Sequence, residues 1–177
     1  MIHNKTRTDL LKVVPKNCTF LELGVFRGEF AKEIIQIVNP DKLYLVDIWS
    51  GEMGSGDKDG DNYVKVQDMR SVYLSLFHQT KNKQNIHLVR CESVPFLQSC
   101  NENYFDAIYV DADHSEDAVY NDMVNSLRVI KPGGLLMGHD YHHQIKIAVD
   151  RFCKDYNQEI VDVTDDGCPS FVIKASK

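Results

Sequence analysis

The chain has 177 residues, with 26 acidic against 20 basic side chains and a formal net charge of −6. This length favours a single domain spanning 1–177, and the acidic balance argues against a general affinity for nucleic acid, whose phosphates are met by basic patches. No apolar run approaches the ~20 residues of a membrane span, the segment Met1–Arg7 lacks the apolar core of a signal peptide, and five scattered cysteines without a C-x-x-C pair point to reduced thiols and a cytoplasmic location.

Apolar runs alternate with helix-like segments along the chain. Cys18 to Leu23 reads as a first strand. Glu29 to Val38 has the helical period through Phe30, Ile34, Ile37 and Val38 and stops at Asn39-Pro40. Leu43 to Asp47 is a second strand, nearly continuous in apolar character, as suits a parallel strand covered on both faces. A loop rich in glycine, serine and aspartate follows from Trp49 to Asn62, and a connection of that length is usually functional. The pattern then predicts a helix over Tyr63 to Gln79, a strand over Ile86 to Arg90 and a short helix around Pro95 to Ser99. Next come a strand over Phe105 to Val110, a helix over Glu116 to Val129, a turn at Lys131 to Gly134 and a strand over Leu135 to Gly138. A helix over Ile145 to Tyr156 and two strands, Glu159 to Val163 and Ser170 to Lys174, complete the chain. Repeated strand–helix units predict an α/β, Rossmann-like, doubly wound and mostly parallel seven-stranded sheet with a C-terminal antiparallel hairpin.

In such a sheet ligands bind beyond the carboxyl ends of the strands. The first strand ends in Glu22-Leu23-Gly24, and Gly28 follows at the start of a helix. A dinucleotide fingerprint needs three glycines as G-x-G-x-x-G. Glu-x-Gly-x-x-x-Gly lacks the third, and an acid at the strand end suits a cationic ligand better than a pyrophosphate. Gly24 and Gly28 are read as leaving room for a ligand or as simple helix–strand packing. Asp47, ending the second strand, is placed to accept hydrogen bonds from ribose hydroxyls or to cap the strand.

Leu21 to Gly28, Leu45-Val46-Asp47, Phe105 to His114 and Leu127 to Leu135 together resemble the ordered motifs of class I S-adenosylmethionine-dependent methyltransferases. The likeness extends over residues 16–174. It is strongest to a short group resembling the metal-dependent O-methyltransferases, through Asp111-Ala112-Asp113-His114 and Gly138-His139-Asp140-Tyr141. The resemblance implies S-adenosyl-L-methionine as cofactor. Glu22, Gly24, Val25 and Gly28 would line its methionine and ribose part, Asp47 would take the ribose hydroxyls, and Ile48 and Trp49 would flank the adenine. Glu92 and Ser93 would sit by the adenine amino group and Asp111 near the methionine end. A sulfonium and an ammonium also favour a site rich in carboxylates.

Asp111, Asp113, His114, His139, Asp140, His142 and His143 form a second constellation at two strand ends. Carboxylates and imidazoles suit a divalent ion such as Mg2+; by the same resemblance Asp111 and Asp140 are the expected ligands, with His139 third. The other reading is a metal-free site in which the acids order the cofactor. His114 is the candidate base for an acceptor hydroxyl, alongside Asp111 and His139 as catalytic candidates. His142 and His143 read as a solvated helix start. Asp57-Lys58-Asp59-Gly60-Asp61 departs from a calcium loop in glycine position and is read as an acidic lid, with Tyr63 and Trp49 as contacts. The expected partner is a small-molecule acceptor methylated at oxygen, with no nucleic acid, no membrane, and a homodimer as an open alternative to a monomer. A metal-dependent hydrolase and a non-catalytic cofactor-binding protein are the competing readings.

Overall fold

The structure, a computed structural model, describes residues 5–53 and 67–177. In chain order its elements are α1 (Arg7–Leu10), a 3-10 turn (Leu11–Val13), β1 (Thr19–Leu23), α2 (Glu29–Ile37), β2 (Lys42–Asp47), β3 (Glu52–Met53), β4 (Gln67–Asp68) and α3 (Met69–Thr80). There follow β5 (Ile86–Arg90), α4 (Ser93–Ser99), β6 (Phe105–Val110), α5 (Glu116–Val129), β7 (Ile130–Gly138), α6 (His143–Asp155), β8 (Ile160–Val163) and β9 (Phe171–Lys174). Seven strands form one sheet in the order β5-β2-β1-β6-β7-β9-β8, with β5 to β7 in parallel and β9 antiparallel to both β7 and β8. This is the Rossmann-like architecture expected from the alternation of strands and helices. No helix among the described residues is long and apolar enough to cross a membrane.

Alternate residues of each parallel strand face opposite sides, so the sheet carries two cores. Phe20, Leu43, Leu45, Tyr109 and Met137 pack under α2, α3 and the N-terminal segment. Leu21, Leu23, Val46, Ile108 and Leu136 pack under α4, α5 and α6. Glu22 lies in register beside Tyr109 on the strand next to it, and so belongs to the first face.

The structure revises two expected boundaries. The Lys131 to Gly134 turn lies within β7, where the pairing jumps from Phe105↔Ile130 to Ala107↔Leu135. Such a bulge accommodates Pro132, which has no N–H to give to a ladder. The helix expected from Tyr63 starts at Met69, because Asp68 caps it: the Asp68 carboxylate accepts the Arg70 N–H at 3.1 Å and the Ser71 hydroxyl at 2.8 Å, and β3 pairs with β4 just before. The acidic lid motif 57–61 and Tyr63 lie outside the described residues.

The strand order reverses between β1 and β6, which opens the switch-point crevice beyond their carboxyl ends. There the strands are tied to each other. The Asp111 N–H donates to Leu23 O at 2.8 Å, the Gly24 N–H to Val46 O at 2.9 Å, and the His139 N–H to Val110 O at 3.2 Å. Gly24 has φ +83°, and a Cβ there would lie 1.9 Å from the Asp111 carbonyl oxygen; one at Gly28 (φ +75°) would lie 2.8 Å from the Leu76 side chain. The space these glycines leave is thus filled from within the protein, and packing explains them without a ligand.

Gly24→Ala should therefore fail to fold or lose more than about 4 kcal/mol, since backbone must move. Gly51→Ala, also at positive φ but with nothing within 4 Å of the added Cβ, should lose only about 1 kcal/mol. Thermal melts of the two variants check the contrast; equal losses would mean that the close approach to Asp111 is not what position 24 requires.

Candidate functional site

Asp47 organises the first turn. Its Oδ2 accepts the N–H groups of Val25 at 3.0 Å and Phe26 at 2.9 Å, and its Oδ1 accepts the Trp49 N–H at 2.8 Å. A carboxylate offers about four acceptor positions, so Asp47 both caps the turn and retains capacity for a ligand hydroxyl. The Trp49 ring is fully buried, packs against Tyr73 and donates its indole N–H to Phe26 O at 2.9 Å. This corrects the expectation that the ring flanks an adenine: it fills the core beneath the turn. Ile48, by contrast, is 48% exposed beside it.

Glu22 is 2% exposed and its Oε2 has no hydrogen-bond partner. Loss of water holds its carboxyl well above the ordinary range; Asp111, Asp47 and Glu29 push the same way, and Arg7 opposes them. Burial and the neighbouring acids thus favour the protonated form of Glu22, and a cation beside it would oppose them.

The expected acid–histidine group does converge. His139 Nδ1 lies 3.1 Å from Asp140 Oδ1 and 3.9 Å from Asp111 Oδ1, and donor atoms of Asp111, His139 and Asp140 all fall within 4.8 Å of one another. His114 bridges the two acids, with Nε2 at 3.4 Å from Asp111 and Nδ1 at 3.7 Å from Asp140. Its hydrogen bond to Asp111 raises its pKa above the ordinary 6.5, although burial works against this. Asp140 sits at φ 53°, in the left-handed region. His142, expected to be solvated, is half-exposed and places Nε2 3.6 Å from Asp140, and Asp140, His142 and the Cys168 thiol form a second group with donor atoms within 4.8 Å. His143 is exposed. Asp113 accepts the Ser115 N–H at 2.7 Å and so opens α5 instead of joining the cluster.

Glu92 is exposed at the cap of α4, and the Ser93 hydroxyl is committed to Asp122 Oδ1 at 2.5 Å. Two basic residues at the site carried no motif. Arg90 donates to Ile48 O at 3.1 Å and to Trp49 O at 2.9 Å, which fixes the turn after β2. Arg7 reaches Asp111 at 3.8 Å from α1. The signal for α1 was the capping box formed by Thr6 and Asp9.

Residues 21–141 match the model of a methyltransferase-domain family. The match covers more than half of the chain, and the chain belongs to that family. It is a methyltransferase domain with a Rossmann-like fold. Among curated proteins no sequence matches it. The fold is similar to that of spermidine synthase from Thermotoga maritima, at 15% identity and a TM-score of 0.60, over 94% of this chain and 56% of that one. The chain thus spans little more than half the length of that enzyme. It is also similar to the N-methyltransferase NodS from Bradyrhizobium japonicum WM9, at 14% identity and a TM-score of 0.64, over 97% and 93% of the two chains. Aeropyrum pernix fibrillarin in complex with natively bound S-adenosyl-L-methionine shares the fold at 16% identity and a TM-score of 0.65, over 94% and 72%. At these identities the likeness is one of fold.

Burial pushes the Asp122 carboxyl up to about 6 from an ordinary 3.8, and the Ser93 hydrogen bond only partly offsets this. A raised carboxyl pKa means that the folded state binds the proton more tightly, so the stability contribution is complete below pH 3.8 and is lost as pH rises through about 6. Asp122→Asn keeps an oxygen for Ser93 and removes the titration. Its stability relative to the parent should rise between about pH 4 and 7, by about 3 kcal/mol in total. Denaturant melts across that range check it; a constant difference would mean that Asp122 is ionised throughout.

Proposed function

We propose that the protein is an S-adenosylmethionine-dependent methyltransferase acting on an oxygen of a small-molecule acceptor, with a divalent ion bound at Asp111, His139 and Asp140. The observation that carries this reading is the meeting, at the switch point of a methyltransferase-family domain, of the Asp47-organised turn, the buried Glu22 and the acid–histidine group. The cofactor, when bound, supplies an activated methyl group on a cationic sulfur.

The chain's own residues then have distinct tasks. Asp47 takes ribose hydroxyls with its remaining acceptor capacity, and Ile48 offers an apolar face to the adenine. The backbone of Gly24, Val25 and Gly28 lines the cleft. Glu22 and Asp111 would meet the cationic end, whose charge would favour the ionised form of Glu22 over the neutral one. His114 accepts the acceptor's proton at whichever ring nitrogen is free, Nε2 or Nδ1, with Asp111 and Asp140 holding the imidazole between them. Two carboxylates and an imidazole suit a hard to borderline ion such as Mg2+ or Mn2+. Such an ion lowers the pKa of a hydroxyl bound to it. The net charge of −6 and the acids at the strand ends favour a small acceptor over a polyphosphate one. Nothing in the site favours the hydrolase reading, which leaves the family and the Asp47 turn unexplained.

Calorimetric titration should detect S-adenosylhomocysteine binding to the parent protein, and Asp47→Asn should weaken it at least about tenfold, because the charge and one amide-binding oxygen are lost together. No binding to the parent would overturn the reading. For the ion, Mn2+ should bind with a paramagnetic-resonance signature that Asp140→Asn removes. Chelation should lower methyl transfer to a hydroxyl acceptor on the order of 100-fold, reversibly on adding Mg2+. Full activity after chelation would leave a metal-free site.

A further inference from the structure

The amino-acid end of the proposed cofactor is a zwitterion. Its ammonium and the sulfonium suit the acids gathered at the ends of β1 and β6, but its carboxylate does not. Among the described residues, the charged groups that act most strongly on buried Glu22 are the acids Asp111, Asp47 and Glu29 and the base Arg7. A carboxylate entering that region needs a cation to face it, or it is repelled at short range by Asp111.

Arg7 is placed to be that cation. Its guanidinium lies over the Phe30 ring, 4.7 Å from the centroid, and Phe30 in turn packs on Tyr109 at 4.3 Å. Phe30 stands in the first turn of α2, whose cap residue Gly28 has no side chain to satisfy the free N–H groups there. Guanidinium, the start of α2 and the unpartnered Glu22 oxygen therefore border one another on one face of the sheet. Arg7 is held loosely: its only ion pair among the described residues is the 3.8 Å contact with Asp111, and its side chain is 29% exposed. The planar fork of five donors is only partly committed, with the Tyr109 hydroxyl and Asp111 beside it, and its free N–H groups match a carboxylate in two-point geometry.

The segment that carries Arg7 is, by contrast, well fastened. Thr6 and Asp9 close a capping box, the Thr8 hydroxyl donates to Glu33 at 2.6 Å, and Lys5 pairs with Asp162. The Asp165 N–H donates to Lys5 O at 3.2 Å, and Leu10 and Leu11 are buried. A four-residue helix fixed from both sides, with one arginine directed to the ends of β1 and β6, positions that guanidinium at little entropic cost.

We propose that Arg7 binds the carboxylate of the amino-acid end of S-adenosylmethionine, exchanging its contact with Asp111 for the ligand and leaving Asp111 free for the ammonium. This rests on the cofactor reading given above and extends it to a residue outside the motif-bearing segments. A carboxylate of the acceptor would offer the same chemistry. The location against Glu22 and the first turn of α2, on the side of the proposed methionine contacts, favours the cofactor.

The test compares two ligands by calorimetry: S-adenosylhomocysteine, and S-adenosyl-3-thiopropylamine, which keeps the ammonium but lacks the carboxylate. Arg7→Met should weaken S-adenosylhomocysteine about tenfold or more and leave the decarboxylated ligand unchanged or tighter, since Asp111 then faces the ammonium without competition. Arg7→Lys should fall between parent and Arg7→Met. Arg7→Gln repeats the comparison if the methionine variant does not fold. Unchanged or tighter binding of S-adenosylhomocysteine by the variants overturns the assignment, and so does an equal loss for both ligands, which would mark Arg7 as a packing residue. Failure of the parent to bind either ligand would instead overturn the cofactor reading itself.

Discussion

A Cβ at position 24 would lie 1.9 Å from the Asp111 carbonyl oxygen, so the chain leaving β1 can turn over the end of β6 only because residue 24 has none. This close approach sets the geometry of the whole switch point. With Gly24 seated there, its N–H reaches Val46 O and the Asp111 N–H reaches Leu23 O, which brings the ends of β2, β1 and β6 to one level. Asp47, one residue beyond Val46, then stands under the turn and collects the amides of Val25, Phe26 and Trp49. Had β1 and β6 been a little further apart, neither Asp47 nor Asp111 would border the same crevice as Glu22.

Gathering so many acids at one place has an electrostatic cost, and the protein meets it differently at each residue. Asp47 has three backbone N–H groups pointing at its oxygens. Glu22, whose Oε2 has no such donor, is pushed instead toward its protonated form. Asp111 and Asp140 share His114 and His139 between them. A turn-capping carboxylate with acceptor capacity to spare, a buried acid pushed toward its neutral form and a histidine-bridged carboxylate differ in what they offer a ligand: hydrogen-bond acceptance, a latent charge, and a charge whose partner is itself a proton carrier.

The sheet was legible because buried parallel strands write long apolar runs and helices write a 3.6-residue period. Asp47, Asp111, His139 and Asp140 were legible because the topology brings the ends of parallel strands together. What the sequence hid depended on contacts between distant segments. Trp49, just after β2, looks the same in sequence whether its ring faces ligand or core, and Phe26 O decides it. Ser93 opens α4, and Asp122, the acid that claims its hydroxyl, lies on α5 beyond β6. The Lys131 to Gly134 bulge keeps turn-forming residues inside a strand, where local chemistry alone predicts a break. Arg7 lies in a four-residue helix too short to show a period.

Part of the backbone strain falls at the same strand ends. Phe26 (φ 50°), Trp49 (φ 36°) and Asp140 (φ 53°) are non-glycine residues in the left-handed region, at the ends of β1, β2 and β7. Each such residue costs on the order of 1–3 kcal/mol and persists only where its surroundings over-determine it. Here they do. Asp47 accepts the amides of both Phe26 and Trp49, the Trp49 indole N–H returns to Phe26 O, and Arg90 holds Trp49 O from the neighbouring strand. At Asp140, the His142 N–H closes on the Asp140 carbonyl and the Tyr141 N–H on Pro169 O. These bonds are all made by the protein's own groups and hold the turn and the acid–histidine cluster rigidly, and such rigidity spares binding energy that would go into ordering them. For methyl transfer, which depends on aligning donor and acceptor in a straight line, rigidity of this kind contributes directly to the rate.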